Sequence, residues 1–184
     1  MSQSPARKVF ITGASSGIGQ ALAAHYAAQG AILGLVARRG ELLATQASAL
    51  KQAGASEVAC YPLDVTERSA LQAAAADFMA RHGTPEIVIA NAGVSFGTLS
   101  ECNEDFAVME RIFAINVLGM VATFMPFIDS MQQASRQGRA CRLVGIASVA
   151  GVRGLPGAEA YSASKAAAIS YLESLRIEMR ASGL

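Results

Sequence analysis

The feature that most constrains the fold is a glycine-rich stretch near the N terminus, TGASSGIG at residues 12–19. The apolar run 9–11 precedes it and is typical of a buried strand. Residues 20–29 follow with a helical pattern that ends at Gly30, a residue type that commonly terminates helices. A strand, a tight turn and a helix N terminus in this order predict a phosphate-binding turn, because backbone N–H groups and the helix dipole converge there. The alternative is a βα turn that is glycine-rich for packing alone.

The three glycines of this turn have different expected roles. Gly13 allows the chain to turn, Gly17 allows the backbone to approach a pyrophosphate, and Gly19 allows the helix to pack closely on the sheet. The other turn residues expected to contact a dinucleotide are Ser15, Ser16 and Ile18. The turn predicts a dinucleotide site but gives no information about the reaction.

The rest of the sequence alternates strand patterns with helix patterns. Further strands are predicted at 31–36, 58–65, 86–90 and 142–147, and further helices at 41–53, 66–82, 104–134 and 158–181. Alternation of strands with helices of this length predicts an α/β fold, a doubly wound parallel sheet with helices on both faces. No linker or repeat interrupts the pattern, so residues 1–184 are expected to form one dinucleotide-binding domain.

Composition argues against several function classes. The 184 residues are 52% hydrophobic with a net charge of +1, and the basic residues are dispersed, so no nucleic-acid or anionic-lipid surface is expected. The apolar segment 113–128 contains Asn116 and Pro126, which favours a buried helix over a membrane span. Three widely spaced cysteines and two histidines form no disulfide or metal-site pattern and indicate a reducing compartment. Residues 1–5 lack the apolar core of a signal peptide, so the expected location is cytoplasmic.

Candidate binding residues follow four of the predicted strands. Because ligands of doubly wound sheets bind beyond the carboxyl ends of the strands, these residues are expected to lie at one edge. Besides the glycine turn, they are Arg38 and Arg39 after the second strand, Asp64 and Val65 at the end of the third, Asn91, Ala92 and Gly93 after the fourth, and Ser148 after the fifth.

The residues that end the second strand bear on which dinucleotide is bound. An acidic residue there would accept hydrogen bonds from the adenine ribose 2′-OH, but the sequence has Ala37, Arg38 and Arg39. Arginine holds a 2′-phosphate through charge-assisted hydrogen bonds, which favours NADP(H) over NAD(H), with Arg38 the stronger candidate. The alternative is a solvated arginine pair at the start of a helix.

Four residues form a candidate catalytic group. Tyr161 and Lys165 lie four residues apart on a predicted helix and therefore share one face. An ammonium group and an oxidised nicotinamide beside the phenol favour the phenolate, so Tyr161 can exchange a proton with a carbonyl or alcohol oxygen. Ser148 is expected to hold and polarise that oxygen. The amide of Asn116 is expected to bind a water that links Lys165 to solvent.

Each of these residues also has a purely structural interpretation. The Tyr–Lys pair is compatible with a helix surface, the serine with a loop cap, and the asparagine with a satisfied buried amide. Asn91 is equally compatible with a turn residue that ties the fourth strand to its neighbours. Ser162 and Ser164 are expected on the helix surface without a catalytic role.

Together these motifs resemble the short-chain dehydrogenases/reductases over essentially the whole sequence. The elements that carry the resemblance are Thr12-Gly13-x-x-x-Gly17-x-Gly19, Asp64-Val65, Asn91-Ala92-Gly93, Asn116, Ser148 and Tyr161-x-x-x-Lys165. The resemblance implies a Rossmann-like sheet of strand order 3-2-1-4-5 and a catalytic tetrad, namely Asn116, Ser148, Tyr161 and Lys165. It also implies that Lys165 bonds the nicotinamide ribose, that Asp64 and Val65 flank the adenine, and that Asn91 supports the sheet and the cofactor.

The resemblance further implies an NADP-dependent oxidoreductase that interconverts a carbonyl group and a secondary alcohol. Members of the family commonly form dimers or tetramers through the long helix and the last helix, here 104–134 and 158–181. The alternative is a non-catalytic dinucleotide-binding sensor or scaffold on the same fold. The identity of the small-molecule substrate does not follow from these residues.

The sequence departs from the family pattern at two points. Ala90 stands where the family often has a second asparagine, which is a mild change. The family continues beyond the last helix with a strand, a Pro-Gly turn, a substrate-covering segment and a final strand. We therefore expect a C-terminal part, including the last two strands, to be absent from these 184 residues; a measured mass near 19.0 kDa for the purified protein would contradict this.

Overall fold

A parallel sheet of five strands forms the centre of the computed structural model, which describes residues 6–184. Residues 1–5, to which the signal-peptide prediction refers, lie outside the described part. The strands are β1 Lys8–Thr12, β2 Ile32–Ala37, β3 Glu57–Pro62, β4 Ile87–Ala90 and β5 Arg142–Gly145. Their order is β3-β2-β1-β4-β5, as predicted, so the direction of winding reverses between β1 and β4.

Helices cover both faces of the sheet because successive strand residues point to opposite sides. On one side Val9 and Ile11 pack in an apolar cluster with α1 and α2, and on the other Phe10 packs with α3 and the later helices. The helices are α1 Gly17–Ala27, α2 Gly40–Gln52, α3 Arg68–His82, α4 Phe106–Phe113, α5 Gly119–Phe124, α6 Ile128–Arg136 and α7 Glu159–Met179. The predicted three-layer arrangement is therefore confirmed.

The predicted single helix 104–134 is wrong in detail, because the helical run from Asn103 to Arg136 changes its winding twice. A π-helical turn at Ala114–Leu118 separates α4 from α5, and a 3₁₀ turn at Met125–Phe127 separates α5 from α6. Pro126 accounts for the second change, since it has no N–H to donate to the helix. The first change occurs around Asn116, which is fully buried.

The same run meets the length and composition criteria for a membrane span, with a window of mean hydropathy 1.8. It is the one helical run in residues 6–184 that does so. Of that window 44% is buried, and Ile112, Met120 and Phe124 are among the buried residues of the run. The buried core helix of a globular domain passes the same test, so the run is weak evidence for a span.

Two other predicted boundaries shift for a local reason. The third strand ends at Pro62 rather than at residue 65, and α3 begins at Arg68 rather than at Thr66. Asp64 explains both shifts, because its Oδ1 accepts hydrogen bonds from the backbone N (3.0 Å) and the hydroxyl (2.9 Å) of Thr66. This side-chain turn competes with strand and helix geometry, as short polar residues often do. The fifth strand likewise ends at Gly145, two residues early.

Candidate functional site

A cleft of about 420 Å³ opens at the carboxyl edge of the sheet, where the winding reverses. Its size is within the range of small-molecule sites. Most of the predicted site residues line it, namely Gly13, Ser15, Ser16, Ile18, Arg38, Arg39, Asp64, Val65, Asn91, Ala92, Gly93, Tyr161 and Lys165. Four predicted residues lie behind or beside the lining: Gly17, Gly19, Asn116 and Ser148. The fold therefore brings residues from distant parts of the sequence to one cleft.

The glycine turn packs tightly against the end of β4. The Nδ2 of Asn91 donates to the carbonyl oxygens of Thr12 (3.1 Å) and Gly13 (3.0 Å). A Cβ on Gly19 would lie 2.3 Å from the oxygen of Gly13 and 2.5 Å from Asn91 Nδ2, so no side chain fits there. Gly13 has φ +67° and Gly17 has φ +57°, which is the left-handed region that favours glycine. Asn91 thus joins two strands at the point where the turn leaves β1.

The N terminus of α1 fits a pyrophosphate. Within residues 6–184, the Ser16 N-cap makes no side-chain hydrogen bond to the helix, and the first turn of α1 carries no acidic residue. The backbone N–H groups of this turn and the positive end of the helix dipole therefore remain available to an anion. A Cβ on Gly17 would meet no atom within 4 Å, so the space over the turn is open.

Two arginines stand beside the turn. Arg39 Nη2 donates to the hydroxyl oxygens of both Ser15 and Ser16, at 3.1 Å each. Arg38 Nη1 lies 3.8 Å from Asp64 Oδ2, and its side chain is 56% exposed. Ala37, the last residue of β2, brings no negative charge to this part of the cleft. Two guanidinium groups therefore lie at the edge of the cleft, next to the glycine turn and the end of β2.

The first turns of α7 bring a phenol and an ammonium group to the other end of the cleft. Lys165 is only 4% exposed, and its Nζ donates to the carbonyl oxygen of Ile146 at 2.8 Å. The same Nζ lies 5.8 Å from the ring centroid of Tyr161. Burial lowers the pKa of Lys165, because removal from water disfavours the charged form. The sequence does not indicate Ile146, since a backbone carbonyl leaves no mark on residue type.

Asn116 fastens the chain that follows β4. Its Oδ1 accepts from the N–H of Val94 (2.8 Å), and its Nδ2 donates to the carbonyl of Val94 (2.9 Å) and to Ser164 Oγ (3.0 Å). Both amide hydrogens are therefore already engaged with protein atoms, unlike the predicted contact to a water. Val94, which the sequence analysis did not single out, lines the cleft.

Ser148 caps the 3₁₀ turn Val149–Gly151, where its Oγ accepts from the N–H of Ala150 at 3.2 Å. This bond uses the serine oxygen as an acceptor, so the hydroxyl hydrogen is still available to donate. A Cβ on Gly151 would lie 2.7 Å from the backbone of Lys165, so this turn packs directly on α7. The loop after β5 is thereby held against the helix that carries Tyr161.

The expectation for the two other serines of α7 is wrong. Ser162 and Ser164 are 4% and 0% exposed, not surface residues. Both make hydrogen bonds outside the regular helix ladder. Helical phase alone did not identify them, because the loop at Leu155 and the side chain of Asn116 contact them from outside the helix.

Comparison with known proteins gives one consistent family. Residues 7–184 match the family model described as short chain dehydrogenase. The chain is similar to 11-beta-hydroxysteroid dehydrogenase 1A of Arabidopsis thaliana, with 32% identity over 171 residues, which are 93% of this chain and 48% of that protein. It is also similar to an uncharacterized oxidoreductase of Myxococcus xanthus, with 35% identity over 184 residues, which are 100% of this chain and 70% of that protein.

Solved structures with the same fold include dinucleotide complexes of both kinds. One is an alcohol dehydrogenase from the archaeon Thermococcus sibiricus complexed with 5-hydroxy-NADP, with TM-score 0.86, 30% identity, and 95% of this chain and 72% of that chain covered. Another is a short chain dehydrogenase/reductase from Burkholderia phymatum in complex with NAD, with TM-score 0.86, 31% identity, and coverage of 97% and 62%. The chain spans about half the length of the Arabidopsis relative.

Replacing Gly19 tests the packing of the glycine turn. We expect Gly19→Ala to lower the free energy of unfolding by about 1–3 kcal/mol, since the added methyl group meets the backbone oxygen of Gly13. Gly154→Ala is the matched control, because a Cβ there meets no atom within 4 Å and its effect should stay within about 0.5 kcal/mol. Urea denaturation measures both values, and equal stabilities of the two variants would contradict the packing described here.

The buried ammonium group predicts a pH dependence of stability. Because the fold lowers the pKa of Lys165 below its value in the unfolded chain, the folded state loses this proton first as the pH rises. Burial of the charged ammonium group thus lowers the free energy of unfolding in full below the folded-state pKa. This destabilisation decreases as the pH rises toward the pKa that Lys165 has in the unfolded chain. Lys165→Met should remove this dependence. The stability of the wild type relative to the variant, from urea denaturation, should rise between neutral pH and about pH 10; a flat difference would contradict the lowered pKa.

Proposed function

The chain belongs to the short chain dehydrogenase family, and we propose that it is an NADP-dependent oxidoreductase that interconverts a carbonyl group and a secondary alcohol of a small molecule. The observation that carries this proposal is that Tyr161 and Lys165 line the same cleft as the glycine turn. A dinucleotide held by the turn and a proton-exchanging phenol would then meet in one space. A sensor that only binds a dinucleotide has no need of that phenol.

In the proposed reaction, a nicotinamide dinucleotide bound in the cleft would supply or accept the hydride, and residues of the chain transfer the proton. Tyr161 donates a proton to the carbonyl oxygen during reduction and removes it from the alcohol during oxidation. Lys165 keeps a positive charge near the phenol, which favours the phenolate form. Ser148 donates its free hydroxyl hydrogen to the same substrate oxygen.

Asn116 acts at one remove from the reacting atoms. Its amide holds both backbone groups of Val94, and a Cβ on Gly93 would lie 3.3 Å from its Oδ1 and 3.5 Å from Lys165 Nζ. In the proposed site, Asn116 therefore keeps the Gly93–Val94 backbone against Lys165, where the nicotinamide ribose would be held.

Tyr161→Phe separates catalysis from binding. The variant loses the proton donor but keeps the ring, so turnover of NADPH with a panel of ketones should fall about 10²-fold or more. The Kd for NADPH, measured by fluorescence titration, should change less than about threefold, since no phosphate contact is removed. Wild-type protein that binds NADPH and turns over none of the panel would contradict the enzyme proposal and favour the sensor.

The proposed preference for NADP(H) rests on the charge at the end of β2. Arg39 donates to both serines of the turn, and Arg38, which is 56% exposed, follows the same end of β2. A 2′-phosphate between the two guanidinium groups would receive charge-assisted hydrogen bonds. Ala37 has no acidic side chain that would repel the phosphate, and the carboxylate of Asp64 is paired with Arg38.

Removing either arginine tests this preference. Arg38→Ala and Arg39→Ala should each weaken NADPH binding about tenfold and leave NADH binding nearly unchanged. Each variant loses one charged hydrogen bond to the 2′-phosphate, and NADH has no such phosphate. Arg136→Ala is the charge-matched control. Arg136 is exposed and is the last residue of α6, which leads into the amino end of β5, whereas the cleft lies at the carboxyl ends of the strands. Titration of all variants with both dinucleotides gives the Kd ratios. A tenfold preference of the wild type for NADH would contradict the proposal.

We also propose a homodimer or homotetramer in the cytoplasm. Exposed apolar side chains follow the helical run and α7, namely Phe106, Leu118, Met125 and Ile177. These are the helices through which the family commonly assembles. The three cysteines are unpaired, which fits a reducing compartment.

A further inference from the structure

The helix α7 buries two serines, Ser162 and Ser164, which lie between Tyr161 and Lys165 in the sequence. Serine is a poor helix former, and Ser162 and Ser164 lie among alanines that suit a helix far better. Neither serine lines the cleft. Each, however, makes a hydrogen bond outside α7, Ser164 to Asn116 in the π-helical turn and Ser162 to Leu155 in the loop after β5.

Ser164 connects the helix to the dinucleotide side of the cleft. Its Oγ donates to the carbonyl of Tyr161 (2.7 Å) and accepts from Asn116 Nδ2 (3.0 Å). The amide of Asn116 in turn binds the N–H and carbonyl of Val94. One continuous set of hydrogen bonds therefore runs from the backbone of Tyr161 to the chain after β4.

Ser162 connects the same helix to the loop after β5. Its Oγ accepts from the N–H of Leu155 at 3.1 Å. This loop begins at the Ser148 cap, and its later part binds a second loop through the N–H of Thr98 and the carbonyl of Gly157 (3.2 Å). Ser162 thus holds the segment that leads away from Ser148, the residue that would bind the carbonyl oxygen in the proposed site.

We propose that Ser164 and Ser162 are positioning residues with separate tasks, the first for the dinucleotide and the second for the substrate. This inference rests on the proposed function, because it takes Tyr161 as the proton donor. Ser164 acts through Asn116 and Val94, and Ser162 acts through Leu155. Because α7 carries both serines together with Tyr161, one helix orients the two halves of the site against the reacting phenol.

The physical reason is that loss of either hydroxyl removes the acceptor of an N–H group, which is the buried side-chain amide of Asn116 for Ser164 and the backbone N–H of Leu155 for Ser162. In Ser164→Ala the side-chain amide of Asn116, which is fully buried, loses the acceptor of one of its hydrogens, so the group that binds Val94 is held less firmly. In Ser162→Ala the N–H of Leu155 loses its acceptor and the loop after Ser148 loosens. A displacement of a site group by a fraction of an ångström is enough to slow a positioned reaction.

The experiment compares Ser164→Ala, Ser162→Ala and the control Ser170→Ala, which changes an exposed serine of the same helix. We expect Ser164→Ala to raise the Kd for NADPH about tenfold with little change in the KM for a ketone, as loss of one buried hydrogen bond implies. Ser162→Ala should raise the KM about tenfold and leave the Kd for NADPH unchanged. Ser170→Ala should match the wild type in both.

Two further variants separate the hydroxyl from packing. Ser164→Thr restores the hydroxyl and Ser164→Val has nearly the same shape without it, so the NADPH Kd should recover in the threonine variant alone. If Ser164→Ala does not fold, Ser164→Cys, which keeps the size of serine but bonds weakly, takes its place in the comparison. Equal Kd values for the threonine and valine variants would overturn the proposal, as would a Kd and KM that change together in both alanine variants.

Hydrogen exchange provides a readout that needs no turnover. The amide of Val94 should exchange faster in Ser164→Ala only, and the amide of Leu155 faster in Ser162→Ala only. If the wild type reduces no ketone, the proposed reaction fails, while the Kd and exchange patterns still decide whether the serines hold these two loops. Faster exchange of both amides in both variants would overturn the separate tasks.

Discussion

The site depends on the contact between the glycine turn and the end of β4. Asn91 donates two hydrogen bonds from one side-chain nitrogen to the carbonyls of Thr12 and Gly13, at the point where the turn leaves β1. The absence of a side chain at Gly19 lets the helix approach closely enough for this to happen. The contact fixes the direction in which α1 leaves the sheet and hence where its N–H groups point. The cleft residues beside the glycine turn are therefore placed relative to this contact.

The other end of the cleft is held by buried polar groups. Lys165 is surrounded by protein and keeps its Nζ near Tyr161 by bonding a backbone carbonyl, at the expense of its own hydration. Burial of a charged group in this way lowers the stability of the fold, and natural proteins retain such destabilising groups mainly where function needs them. Asn116 and Ser164 show the same character, because both are fully buried and both have partners. Asn116 and Ser164 therefore belong to one network of hydrogen bonds in this half of the cleft.

Much of the fold and most of the cleft lining could be predicted from the sequence. Alternating patterns predicted five strands, and the resemblance carried by the motifs supplied their order. Boundaries were less accessible where a side chain decided them, as Asp64 does for the end of β3. The roles of Ile146 and Val94 could not be predicted, since they act through backbone atoms. Ser162 and Ser164 were misplaced because periodicity indicates which face is apolar, not which polar group on a buried face finds a partner.

The π-helical turn at Ala114–Leu118 divides the helical run into two parts with independent angular settings. Each residue of an α-helix rotates the side-chain direction by about 100°, so one inserted or deleted residue in an uninterrupted helix would turn every later side chain away from the core. A wider turn absorbs such a change locally. Ile112 on one side and Phe124 on the other are therefore both fully buried, although no single α-helical phase has to serve them. A length change between Asn116 and α5 would accordingly leave the setting of α4 unchanged, whereas the same change between Tyr161 and Lys165 would turn these two side chains away from each other.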